Sequence, residues 1–449
     1  MVIRKLGYSL FCAALLATGC EELATREADG GTHRDVIVGS ADGALGDQQA
    51  VSDGAAAIDA VAGDGSVPVA DGSLPPSCNA GCIVGQQARC GGCGVRTCSS
   101  AGAWGNCQHD SACQTQAALS VAAPDSKILL GGRWDQSTGK PRCNWAGCSF
   151  RIHASAKEVF ASIADGNGQT GNPATWGTRD NELTCYVDGK RVARVVLERN
   201  VKKEYQLVTG LSAGPHLIEC RKSSEAMRGM IQLDALRLNN AALHAPIGWS
   251  YKMLFIGDSI SAGAGNLGYP TCNGDAQEQE DTARAYTGLT ALAFDAETTI
   301  AAVSGIKAQD PPFRQDAVGD AFGVRNLYSL PVTPAKDSVQ IALINLGTND
   351  GGDSPGYRAA LGELISGLRG RYGNIPVVLV QGPMNTSFDA AFKDLMQAHS
   401  GLTRVDFPFD NSPSRVGCTS HPNLPHHADL AKQLVGHLQS DLKWCRVNP

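Results

Sequence analysis

The chain has 449 residues, 38 basic against 44 acidic side chains for a formal net charge of −6, and 16 cysteines. That length exceeds one ordinary core and predicts two or three domains. The absence of a basic excess argues against nucleic acid as a partner, and past the first twenty residues no stretch is long and apolar enough for a transmembrane helix.

Residues 1–20, MVIRKLGYSLFCAALLATGC, begin with Arg4 and Lys5, continue through an apolar stretch from Leu6 to Ala17, and end in small residues. A stretch this short reads as a secretory signal over residues 1–19. Ala17-Thr18-Gly19-Cys20 resembles the bacterial lipobox, which implies cleavage before Cys20, lipidation of its sulfur, and a protein anchored to a bacterial membrane on its periplasmic or outer face. From Cys20 to residue 77 the chain is rich in Asp, Gly, Ala, Ser and Val without an aromatic ring. Over residues 21–77, eleven acidic side chains stand against Arg26 and Arg34. Such a segment buries too little apolar surface to order itself and is expected to be a self-repelling tether.

Seven cysteines crowd into residues 78–113. In an exported chain they predict a small module stapled by disulfides. The Cys90-Gly-Gly-Cys93 pair could also open a zinc site, but His109 is the one imidazole nearby and the compartment is oxidising, so no metal is expected.

Residues 118–246 read as short strands separated by Gly, Asn and Asp, with Asp188-Gly189 as a hairpin turn. Strands without helical periods predict a β-sandwich of jelly-roll type. The economical bridges there are Cys185 to Cys220 and Cys143 to Cys148. Trp134, Trp145 and Trp176 could stack on sugar rings, although such residues are more often core.

Residues 247–449 alternate strand with helix, which predicts a parallel sheet covered on both faces, an α/β fold. Three strand ends carry Gly257-Asp258-Ser259, Ser304-Gly305 and Gly347-Thr348-Asn349-Asp350, and His421 precedes the last helix. Ligand crevices of open α/β sheets lie outside those carboxyl ends. A serine hydroxyl needs a base to become a nucleophile, and imidazole suits that near neutral pH. Ser259 and His421 can fill these roles, with the backbone N–H groups of Ser259 and Gly305 and the Asn349 amide aimed at a developing oxyanion. Asp258 and Asp350 are the supporting residues of the same loops.

Ser259, Gly305, Asn349 and His421, in GDS, SG, LGTND and HP, resemble the four blocks of the SGNH or GDSL hydrolases. With the preceding strand-rich region and its GGRWDQS and CYVDGK, residues 118–449 look like carbohydrate esterase family 2. The resemblance implies a three-layer hydrolase with a flavodoxin-like parallel sheet beside an accessory sandwich, ester hydrolysis on acetylated polysaccharide such as xylan, no cofactor, and a monomer. Two rivals are an inactive carbohydrate-binding lipoprotein and a general lipase or arylesterase. The superfamily often carries an aspartate three residues before its histidine, where this chain has Cys418. A Ser259–His421 dyad is therefore expected, with a main-chain carbonyl on the histidine, while Asp406 and Asp410 read as a strand end and a turn. Cys272 and Cys418 are expected to bridge the nucleophile and histidine loops, leaving Cys445 for one cysteine of the 78–113 module.

Overall fold

The computed structural model describes residues 82–90, 94–109, 116–166, 180–272, 276–320 and 338–447. The expected signal, Cys20 and the acidic tether lie outside them, as do Cys93 and Trp176. Among the described residues no helix is long and apolar enough to cross a membrane.

Strands β1 (Gln87–Cys90), β2 (Gly94–Thr97) and β3 (Gln108–His109) form a small antiparallel sheet. Disulfides Cys82–Cys98 and Cys90–Cys107 hold it where apolar core is scarce. Cys90 is thus a disulfide sulfur and not a metal thiolate.

A second body contains β4 (Gln116–Ala122), β5 (Leu129–Gly131), β6 (Arg142–Cys143), β7 (Ser149–Ser155), β8 (Glu158–Asp165), β9 (Glu182–Val187), β10 (Lys190–Val196), β11 (Lys202–Thr209), β12 (Pro215–Lys222) and β13 (Ile231–Leu243). They pair antiparallel in the order β10-β9-β12-β7-β13-β8-β11, with β4 and β6 on β13 and β5 on β7. The thirteen-residue β13 runs beside β8 from Ile231 to Asn239 and then meets β7 at Ala242 and Leu243, so one strand serves two stretches of sheet. Strand β8 alternates, burying Val159, Ala161 and Ile163 on one face, as period-two sequence requires. Asp188 (φ 51°) and Gly189 (φ 80°) both take positive φ between β9 and β10, the turn that matches strand twist. Cys185 and Cys220 are register partners on β9 and β12 and are bonded. Cys143–Cys148 closes the loop around Trp145, which is completely buried and therefore packs the core instead of offering a sugar platform. Trp134 is half-buried, its indole N–H given to the Gly131 carbonyl at 2.9 Å.

The third body is a parallel sheet of β14 (Tyr251–Gly257), β15 (Ala296–Ala302), β16 (Ile341–Asn345), β17 (Val377–Gln381) and β18 (Leu402–Asp406), ordered β15-β14-β16-β17-β18. This order places its switch point between β14 and β16. Helices α1 (Ser259–Ala262), α2 (Tyr286–Ala293), α3 (Pro311–Gln315), α4 (Pro355–Tyr372), α5 (Asp389–Ala398) and α6 (Leu424–Ser440) follow the strands. Both faces of β14 are buried, which is why its sequence is a continuous apolar run. Met253 and Phe255 pack with Leu430 and Leu434 of α6, whereas Leu254 and Ile256 belong to the core that includes Leu361 and Leu364 of α4.

The antiparallel and parallel bodies meet across a buried ion cluster. Arg151 donates through Nε to Glu219 at 3.0 Å and through Nη2 to Asp295 at 2.5 Å; Arg221 Nε donates to Glu219 at 2.5 Å, and the Arg151 guanidinium lies 4.5 Å from the Trp249 ring centre. Burial alone would raise the Glu219 pKa, but the guanidinium groups of Arg151 and Arg221 hold it at about 2. Its stabilisation is therefore complete above the ordinary glutamate range and is lost as pH falls through about 2. Glu219→Gln should cost roughly 3–5 kcal/mol by taking the shared carboxylate from two buried cations, leaving Arg151 with Asp295 and Arg221 without an ion-pair partner at Glu219. Denaturant unfolding near pH 7 measures that loss, and the gap between variant and wild type should close towards pH 2.

Candidate active site

Strand β14 ends at Gly257, where a Cβ would lie 2.0 Å from Ser261 Oγ, so the chain must turn on glycine. Asp258 caps α1 by accepting from the Ile260 N–H at 3.0 Å. Burial outweighs this bond and one from Thr348 and pushes the Asp258 carboxyl up to about 7. Ser259 is the first helical residue, 6% exposed at the carboxyl end of the sheet.

Ser259 Oγ and His421 Nε2 are 2.8 Å apart. On the other side of the ring, His421 Nδ1 lies 3.0 Å from Thr419 Oγ1, which donates its own proton to the Cys418 carbonyl at 2.8 Å. With that proton spent, the threonine oxygen must accept from Nδ1–H, leaving Nε2 free to accept from Ser259. Through these two contacts the Cys418 carbonyl is linked to the ring by way of Thr419. A threonine hydroxyl stands between, because the chain at Thr419 is left-handed (φ 51°, ψ 40°) and turns the side chain towards the imidazole. A β-branched residue pays for this conformation, on the order of 1–3 kcal/mol, so the surroundings must enforce it. They do so through Gly417 N–H to His421 O at 2.7 Å, Cys418 N–H to Gly265 O at 2.9 Å, and the Cys272–Cys418 disulfide. Cys445 is also disulfide-bonded, to a cysteine outside the described residues. Asp406 accepts from Arg404 Nε at 2.6 Å, and Asp410 accepts from the Ser412 N–H at 3.0 Å.

Gly305 follows β15 with φ 79°, and a Cβ there would meet nothing within 4 Å. Glycine is needed for the backbone angle, not for crowding within the fold. Asn349 Nδ2 donates one proton to the Ile306 carbonyl at 2.9 Å and keeps a second N–H. The Asp350 carboxylate accepts from the N–H groups of Ala308 at 2.9 Å and Gln309 at 3.2 Å, tying the loop after β16 to the loop after β15. Ser259, Gly305 and Asn349 thus follow three adjacent strands, and the paired Ser259 hydroxyl and His421 imidazole lie with them at the carboxyl end of one sheet.

Residues 130–246 match the family described as carbohydrate esterase 2 N-terminal. Over 338 residues the sequence is 26% identical to the cellulase/esterase CelE of Acetivibrio thermocellus, a match covering 71% of this chain and 40% of that protein. Its fold matches a family two carbohydrate esterase from Clostridium thermocellum in complex with cellohexaose, with TM-score 0.60, 26% identity and coverage of 71% of this chain and 99% of that one. It also matches the acetyl xylan esterase Est2A of Butyrivibrio proteoclasticus with TM-score 0.62, 16% identity and coverage of 73% and 100%.

The stretch that matches the carbohydrate esterase 2 N-terminal family reaches the site itself: its Glu225 accepts from the Ser304 N–H at 2.8 Å, one residue before Gly305. Neither Glu225 nor Thr419 was evident beforehand. Glu225 lies in the antiparallel body, and only the left-handed turn brings Thr419 under the ring. A surface cavity is lined by Pro383, Met384, Phe409, Val416, and by Ser420 and Pro422 on either side of His421 in sequence. Phe409 is 60% exposed.

Thr419→Ala should lower kcat roughly tenfold to a hundredfold, and Thr419→Ser should restore it to within a few-fold, since a hydroxyl suffices. Asp406→Asn and Asp410→Asn should each keep most of the rate. Where a carboxylate serves the histidine, the amide costs about four orders of magnitude in turnover. Steady-state kinetics on variants with native circular dichroism separates these outcomes.

Proposed function

We propose that this chain is a serine esterase that removes O-acetyl groups from a polysaccharide through an acetyl-Ser259 intermediate. The observation that carries the reading is the 2.8 Å contact of Ser259 Oγ with an imidazole whose far nitrogen is held by Thr419. Ser259 Oγ attacks the acetyl carbonyl while His421 Nε2 takes its proton. The backbone N–H groups of Ser259 and Gly305 and the second N–H of Asn349 stabilise the oxyanion. Collapse returns the proton to the sugar oxygen, which leaves as the free hydroxyl. Water, deprotonated by the same imidazole, then releases acetate and restores Ser259.

Similarity to a cellulase/esterase and to a carbohydrate esterase solved with cellohexaose supports a glycan substrate. The exposed ring of Phe409, in a cavity also lined by Ser420 and Pro422 on either side of His421 in sequence, supplies an apolar face of the kind a sugar ring packs on. In this reading the antiparallel body is an accessory sandwich of jelly-roll type, the hydrolase occupies residues 247–449, and the enzyme acts as a monomer. Export and a lipid on Cys20 would hold it at a bacterial membrane, with the acidic segment as tether.

Acetate release from acetylated xylan, mannan and chitin-type oligomers tests the reading. At least one should be deacetylated, and Ser259→Ala should reduce the rate on the order of a thousandfold or more. Equal release by wild type and Ser259→Ala would overturn it.

A further inference from the structure

The segment Lys222–Arg228 joins β12 to β13 inside the carbohydrate esterase 2 N-terminal domain, yet it bonds to the parallel body. The Ser223 carbonyl accepts from the Thr282 N–H at 2.9 Å, the Glu225 N–H donates to Glu280 Oε1 at 2.5 Å, and Glu225 Oε2 accepts from the Ser304 N–H at 2.8 Å. From behind, Lys222 Nζ donates to the carbonyls of Ser224 at 2.7 Å and Glu225 at 3.0 Å, and Asn144 Nδ2 donates to the Ala226 carbonyl at 2.8 Å. Glu225 is completely buried and Glu280 nearly so. Desolvation pushes both carboxyl groups up, against the pull of Arg228 and Lys222. Burying two carboxyl groups is costly, and what Glu225 does with its side chain is to reach Ser304.

That reach matters because Gly305 has no packing of its own. It is exposed, it carries no side chain, and nothing lies where a Cβ would be. Its N–H belongs to the peptide plane it shares with Ser304, so its direction is set by how its neighbours are held. Ser304 is held at its N–H by Glu225, and Ile306 at its carbonyl by Asn349. We propose that Glu225 is a positioning residue that aims the Gly305 N–H at the developing oxyanion, making the carbohydrate esterase 2 N-terminal domain part of the framework of the active site. The inference rests on the reading of Gly305 as an oxyanion donor.

The test uses the full chain and separates reach from charge. Glu225→Gln keeps the length and an acceptor oxygen; Glu225→Asp keeps the carboxyl but draws it back by one methylene. Wild type and both variants are compared for kcat and KM on an acetyl ester and for affinity towards a boronic acid, which mimics the tetrahedral intermediate. E225D should lose roughly tenfold to a hundredfold in kcat with KM within about twofold, and boronate affinity should fall in parallel. E225Q should stay within about threefold of wild type in all three. If E225D does not fold, Glu225→Ala takes its place with the same expectation. Wild-type kcat in the shortened variants, equal losses in E225Q and E225D, or a rise in KM with boronate affinity unchanged would overturn the proposal. With Ser259→Ala inactive in the same series, a flat Glu225 series overturns this inference and leaves the esterase reading standing, whereas an inactive wild type overturns both.

Discussion

The contact between Ser259 Oγ and His421 Nε2 joins residues 162 apart in sequence, and much of the fold can be understood as what holds that distance at 2.8 Å. Long-range contacts of this kind need rigid supports because neither loop has enough packing to fix itself. Ser259 is set by a buried strand, a glycine that cannot be replaced without a clash, and the Asp258 cap. His421 lies in an irregular segment and is held by bonds instead. The Cys272–Cys418 disulfide and the Cys418 N–H to Gly265 carbonyl bond fasten the histidine turn directly to the nucleophile loop. These same bonds keep Thr419 left-handed, so the constraint that positions His421 also supplies the hydroxyl at its Nδ1. A hydroxyl fixes the tautomer, but it cannot stabilise an imidazolium as a carboxylate does.

The two larger bodies are joined by polar groups as well as by apolar packing. Arg151 and Glu219 on one side with Asp295 on the other, and Glu225 facing Glu280 and Ser304, lie where desolvation makes an unpaired group expensive. Such a joint tolerates little sliding, because displacement would break several bonds to buried charges at once. The joint is bonded to the loop after β15 at Ser304, and that loop is bonded through Asn349 and Asp350 to the loop after β16.

Much of this was legible in the sequence where period and punctuation are strong. The apolar run ending in Gly257-Asp258-Ser259, the strand-helix alternation after residue 250 and the Asp188-Gly189 hairpin all carry local signals, and the structure has β14, the parallel sheet and the β9–β10 turn there. The short strands β4, β5 and β6 were not anticipated, since two- to seven-residue pieces are defined by partners such as β7 and β13 and not by their own pattern. Thr419 was passed over because its role depends on a positive φ that no β-branched residue advertises. Glu225 escaped notice for the opposite reason: in sequence it is a charge in a loop far from the hydrolase motifs, and only the packing of two bodies brings it to Ser304. Trp145, weighed as a sugar platform but read as more often core, is wholly buried inside the loop closed by Cys143–Cys148.

The proposed nucleophile can be trapped chemically. Reaction of the protein with a phosphonate ester, followed by peptide mass mapping, tests whether Ser259 is activated by His421 more directly than any rate comparison. The adduct is expected on the peptide carrying Ser259, with labelling strongly slowed in His421→Ala. An adduct on another side chain, or labelling of Ser259 at the same rate without His421, would contradict it.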